Sequence, residues 1–158
     1  MTLDDLREDI SIEFARIDET LAEIRLILRN ERESVLTRSD VTAGATYLAQ
    51  CYSGIENVLK RITKYCNVPL PSGSFWHAEL VGMFQAGEDR DPRLPELADA
   101  SLFPLLTTLR KFRHVVAHGY AVTFDREAVL GTLRLADGAV ERFKKNVLRF
   151  LGQTTGRV

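Results

Sequence analysis

Apolar residues recur at helical spacing along nearly the whole chain, and that period leaves few folds open. Leu6, Ile10, Ile17, Leu21, Ile24 and Leu28 lie mostly three or four apart with charges between them, which predicts one long amphipathic helix over roughly residues 3 to 34. Tyr47, Leu48, Cys51, Ile55, Leu59 and Ile62 define a second helix. Ser39 or Asp40 is its expected cap, and its end is expected near Cys66, where NVPLPSGS brings two prolines, a glycine and an asparagine. Ser74 is the expected N-cap of a short helix in FWHAELVGMF. AGEDRDPRLP reads as a polar loop. A fourth helix is expected from about Glu96 or Asp99 to Tyr120, with Pro104 as a kink or in its first turn. The last helix is expected to start at Asp125, with Val129, Leu133, Ala136, Val140, Phe143, Val147 and Phe150 on one side. No strand pattern and no internal repeat competes. The expected architecture is one all-α domain over residues 1–158, an up-and-down bundle of four longer helices plus one short helix, with 153–158 as a frayed tail. The long first helix either covers only the core or also packs on a second subunit.

Charge narrows the function classes. Lys plus Arg is 21 and Asp plus Glu is 22, a formal net charge of −1, so any site for a polyanion has to come from local clustering. MTLDDLREDI has no basic start followed by an apolar run, and no stretch reaches the roughly 18 apolar residues of a membrane span. A cytoplasmic protein that does not engage a membrane is expected. Cys51 and Cys66 lack CxxC spacing and read as reduced, buried or half-buried thiols.

Local clustering appears in RKFRHVVAHGY, Arg110 to Tyr120, which holds two of the three histidines. On a helix, Leu102, Leu105, Leu109, Phe112 and Val116 fall within roughly 80° and should face the core. Arg110, Arg113, His114, Ala117 and His118 occupy another arc of about 140°. Arg113 and His118 lie roughly 140° apart. They converge on one ligand only if the ligand is wide, the helix ends or bends, or a second chain contributes; Gly119 supplies a natural end.

Three readings compete for this cluster. Cations at a helix C-terminus complement the macrodipole and need no other role. His114 and His118, at i and i+4, have metal-ligand spacing, but two ligands do not make a site, arginines beside them repel a cation, and no HExxH glutamate is present. No metal and no cofactor is therefore expected. The third reading is phosphate chemistry: arginine grips phosphate in a bidentate fork, and histidine moves protons near neutrality.

Arg113, four residues, His118, one residue and Tyr120 resemble the Arg-x4-His-x-Tyr motif of HEPN-domain ribonucleases, in particular the HepT-like toxins of bacterial toxin–antitoxin pairs. YSGIENVLKRI and LPSGSFWHAELVGMF are similar to segments of a HepT-like subgroup. The resemblance covers roughly residues 40 to 152. It implies a metal-independent endoribonuclease acting on mRNA or tRNA, and a homodimer in which both motifs line one cleft. It also implies a minimal nucleotidyltransferase antitoxin as partner, which in some pairs transfers AMP from ATP to a tyrosine of the motif; by position that tyrosine is Tyr120. Within this resemblance, His118 is the general base or acid and Arg113 holds the scissile phosphate. Arg110 and His114 widen the phosphate-binding surface. His114 stands where many relatives carry Asn, so a structural hydrogen-bonding role is equally open to it.

Four further features frame the motif. Glu56 interrupts an apolar turn of the second helix, and either orients Arg113 or a histidine across the bundle or pairs with Lys60 at i+4. Trp76 is expected to anchor the short helix, and His77 to be a cap or surface group. Arg142, Lys144, Lys145 and Arg149 form a basic stripe on the last helix that reads first as a solvated face. Two alternatives to the toxin stay open at this point. One is a catalytically silent HEPN-type module that binds a nucleotidyltransferase or a nucleotide. The other is an unrelated helical interaction protein.

Overall fold

The computed structural model describes residues 1–119 and 123–154. Among these residues five helices follow one another: α1 (Leu3–Glu33), α2 (Arg38–Tyr65), α3 (Trp76–Gly82), α4 (Phe103–His118) and α5 (Arg126–Thr154). The expected helical bundle of four long helices and one short one is the architecture found. Among the described residues no strand forms, and the only extended pairing is an isolated bridge between Gln85 and Ala98.

Helix boundaries follow capping chemistry more closely than apolar period. Thr37 caps α2, with Asp40 at the third helical position completing the reciprocal box, so the expected Ser39 or Asp40 cap is corrected by two or three residues. The Thr37 hydroxyl satisfies the Asp40 amide while the Asp40 carboxylate satisfies Thr37 N–H. α2 stops where expected, with Cys66 as its C-cap. Asn67 then adopts φ 56°, a left-handed conformation that asparagine tolerates and that turns the chain out of the helix. α3 starts at Trp76 after Phe75, with no side-chain cap, so Ser74 does not serve as expected. α4 starts at Phe103 with Pro104 in its first turn, not at Glu96 or Asp99. Asp99 instead accepts from Ser101 N–H and Leu102 N–H and closes a turn ahead of the helix. At α5, Asp125 accepts from Ala128 N–H at 2.8 Å, the expected cap. α5 runs on to Thr154, past the expected start of the frayed tail; residues 155–158 lie outside the described part of the chain.

α2 is the hub of the bundle, packed by α1, α3, α4 and α5. Leu48, Cys51, Ile55, Leu59 and Ile62 of the predicted stripe are buried; Tyr47 is only partly buried against the core, and Tyr52, outside the predicted stripe, is fully buried. Gly54 lets α1 approach closely: a Cβ there would sit 2.5 Å from Ile17 Cγ1. On α4 the buried positions are Leu106 and Leu109, with Leu102 buried just before the helix; Leu105 and Phe112 are only partly buried against the core. After Leu109, α4 has no fully buried residue. The core therefore grips the start of α4 and leaves its last turns projecting, which is where the motif lies.

Candidate functional site

The site grows from one buried acid. Glu56 lies on α2 at 2% exposure, and a carboxylate so placed requires partners. It accepts from His77 Nδ1 at 2.6 Å, pairs with Lys60 Nζ at 3.4 Å and faces Arg113 of α4 at 4.0 Å. Both roles weighed for Glu56 therefore hold together: it pairs along its own helix and reaches across the bundle. Because an ionised carboxylate only accepts, Nδ1 carries a proton and Nε2 is the histidine's remaining contact.

His77 is neither a cap nor a surface group, which corrects the sequence expectation. Its ring lies against Trp76 with centroids 3.5 Å apart, and Lys60 Nζ sits 4.5 Å above the Trp76 ring. The Tyr52 hydroxyl donates to the His77 carbonyl oxygen at 3.5 Å, and burial pushes that phenol well above its ordinary range. Trp76 is half-buried against the core, the expected anchor. Its packing holds α3 so that the next residue meets Glu56. The signal for His77 was available in part, since a buried acid at position 56 called for a cationic or donor partner. Which of the distant candidates would supply it depends on how α3 folds back, which no periodicity encodes.

The motif residues occupy the projecting end of α4. Arg113 is half-buried; His114 and His118 are exposed. The two imidazoles lie 4.8 Å apart by centroid and are tilted by 50°. Among the described residues no third His, Cys, Asp or Glu joins them in a metal-binding group. Gly119 caps the helix in an extended conformation, φ −76° and ψ 125°, so the chain leaves the helix directly after His118, at the glycine that offered an end or bend and short of the expected end at Tyr120. Tyr120 lies outside the described residues. Arg110, Arg113 and His114 line, with Phe75, His77 and Ala78, a cavity of about 450 Å³ between the α3 turn and α4. Arg110 Nε is shielded from solvent and has no hydrogen-bond partner among the described residues.

The other sequence candidates are accounted for elsewhere. Arg142 donates to Asp99 at 3.1 Å and Lys144 pairs with Asp18 at 2.8 Å, so half of the α5 stripe is already neutralised, while Lys145 and Arg149 are solvent-exposed. Burial pushes the Cys51 thiol up to about 12, which removes it from nucleophilic chemistry. Cys66 is half-buried, and both cysteines are free. No described helix is long and apolar enough to cross a membrane.

The all-helical bundle is consistent with a HEPN-like class of protein. The family model described as HepT-like protein matches residues 43–154, and the chain belongs to that family. The match spans α2 to α5 and leaves out α1. No curated protein and no solved structure matches the chain.

Proposed function

We propose that this chain is a metal-independent endoribonuclease toxin of a toxin–antitoxin pair, cleaving mRNA or tRNA at the end of α4. The observation that carries the reading is the placement of Arg113. It is anchored from behind by a buried carboxylate 4.0 Å away and lies on the same projecting helix end as exposed His118. Arg113 binds the scissile phosphate and offsets the charge that develops on it. The 2′-oxygen–phosphorus bond forms as the 5′-oxygen–phosphorus bond breaks. His118 takes the 2′-hydroxyl proton or delivers one to the departing 5′-oxygen. The products are a 2′,3′-cyclic phosphate and a 5′-hydroxyl. Arg110 and His114 extend the phosphate-binding surface, and Glu56 is a positioning residue that holds Arg113 and His77.

The reading includes a homodimer. The last turns of α4 have no fully buried residue, and Val115 is 37% exposed. Pairing these ends brings two motifs into one cleft, so that one His118 serves as base and the other as acid. A nucleotidyltransferase antitoxin restrains the toxin, with Tyr120 as the acceptor of AMP. Family membership and the motif support these partners.

The test is cleavage of total tRNA and of an mRNA by purified protein in EDTA, with the new termini identified. Chelator-resistant cleavage that leaves 2′,3′-cyclic phosphates and is lost in Arg113→Ala and His118→Ala is the expected result. Absence of cleavage by unmodified, antitoxin-free protein overturns the reading in favour of a silent HEPN-type binding module.

A further inference from the structure

The reaction just described uses Arg113 and His118, and it gives no specific contact to three neighbouring features. The first is the cavity of about 450 Å³ between the Ser74–Ala78 turn and α4, within the range of about 300–1,000 Å³ in which small ligands are held. The second is Phe75, a residue 75% exposed that lines that cavity. The third is Arg110, which lines the cavity and keeps a buried Nε without a hydrogen-bond partner among the described residues.

The lining specifies the chemistry of an occupant. Among the described residues it holds Arg110, Lys111 and Arg113 and no Asp or Glu, so the ligand is anionic. Phe75, Ala78 and Val115 give it an apolar side, so the ligand also has a flat or apolar part. His77 contributes a ring whose Nδ1 is committed to Glu56 at 2.6 Å, leaving Nε2 for a polar edge. A phosphate joined to a nucleobase meets all three requirements.

We propose that this cavity is a subsite for the nucleotide next to the scissile phosphate, in which Phe75 stacks on the base, His77 meets the base edge and Arg110 binds that nucleotide's phosphate. The subsite rests on the ribonuclease reading, and it gives that enzyme a base preference. Single-stranded RNA is the substrate form it requires, since a base must leave its helix to stack on a protein ring.

The experiment measures binding and cleavage separately. Binding uses single-stranded RNA oligonucleotides made uncleavable by a 2′-deoxy sugar at each candidate scissile position, with each of the four bases beside it, followed by fluorescence anisotropy. Phe75→Ala is expected to weaken binding by about tenfold or more, the size of one lost base–aromatic stack, and to raise KM for cleavage to match. His77→Ala is expected to flatten the preference among the four bases. Lys145→Ala, which removes an exposed cation from α5, is expected to bind as wild type does. Unchanged affinity in Phe75→Ala overturns the subsite whether or not the protein cleaves RNA. Wild-type protein that binds with this Phe75 dependence yet cleaves nothing overturns the ribonuclease reading and upholds the subsite. Unchanged affinity together with loss of dimer in sedimentation assigns Phe75 to contact between copies and overturns the proposal.

Discussion

Two carboxylates are buried against α2, and their surroundings treat them in opposite ways. Glu13 of α1, 3% exposed, lies 3.4 Å from Arg61 and 3.5 Å from Arg16, and accepts from Asn57 at 3.5 Å. Arg61 also pairs with Asp9 at 2.5 Å. That cluster holds two acids and two arginines, and its charge is spent within the bundle. Glu56, 2% exposed, is the single acid among Lys60, His77 and Arg113, with Arg110, Lys111 and His114 lining the adjoining cavity. Coulomb attraction holds both clusters in place, but only the second has positive charge left over. A closed ion cluster serves packing; one with surplus cation at a cavity is prepared for an anion.

Breaking the contrast at its functional end has the largest expected effect. Arg113→Ala and His118→Ala each lower RNA cleavage by about 10²- to 10⁴-fold; His118 is exposed, so its variant melts close to wild type, and Arg113→Ala stays folded with a small loss of stability because Lys60 and His77 remain on the Glu56 carboxylate. Glu56→Gln lowers the cleavage rate by about tenfold to 10²-fold through misplacement of Arg113 and His77. Glu13→Gln leaves the rate per folded molecule unchanged and costs about 1–3 kcal/mol of stability, read by urea unfolding. A swap of these two outcomes would mean that the clusters have been assigned the wrong way round.

Smaller effects sharpen the packing side. Gly54→Ala places a Cβ 2.5 Å from Ile17 Cγ1 between α1 and α2, and overpacking there costs about 1–3 kcal/mol in denaturant unfolding. Asp99 gives the smallest effect. Hydrogen bonds from Ser101 and from Leu102 N–H, with Arg142 nearby, hold its carboxyl down at about 2, below the value of about 4 usual in an unfolded chain. A folded value below the unfolded one stabilises the protein above about pH 4, and that contribution is lost as pH falls toward 2. Asp99→Asn should therefore flatten the acid limb of a melting-temperature profile and leave neutral-pH cleavage unchanged.

The bundle was legible because period carries it. Leu6 through Leu28 and Leu48 through Ile62 state their buried faces without reference to the rest of the chain. The motif was legible because Arg113 and His118 sit close together on one element. Boundaries were harder, since Thr37 and Ser39 are both good caps and only the Asp40 geometry chooses between them. The segment before α4 misled for a different reason. Leu94, Leu97 and Ala98 are buried in extended and turn conformations, pinned by backbone bonds from Leu97 and Ala98 to Phe84. Their burial comes from tertiary docking, and local pattern presents it as the start of a helix. His77 was misjudged because its partner lies 21 residues away on another helix, and the packing of Trp76 decides that meeting.

The most direct test of the contrast compares Arg113→Ala with Arg61→Ala in single-turnover cleavage of one RNA in EDTA, each rate normalised to folded protein. Both variants remove an arginine from beside a buried glutamate. Arg61→Ala is expected to cleave at the wild-type rate, with reduced stability, and Arg113→Ala to be folded and inert. Equal rates in the two variants, or a folded wild type that cleaves no RNA, would contradict it.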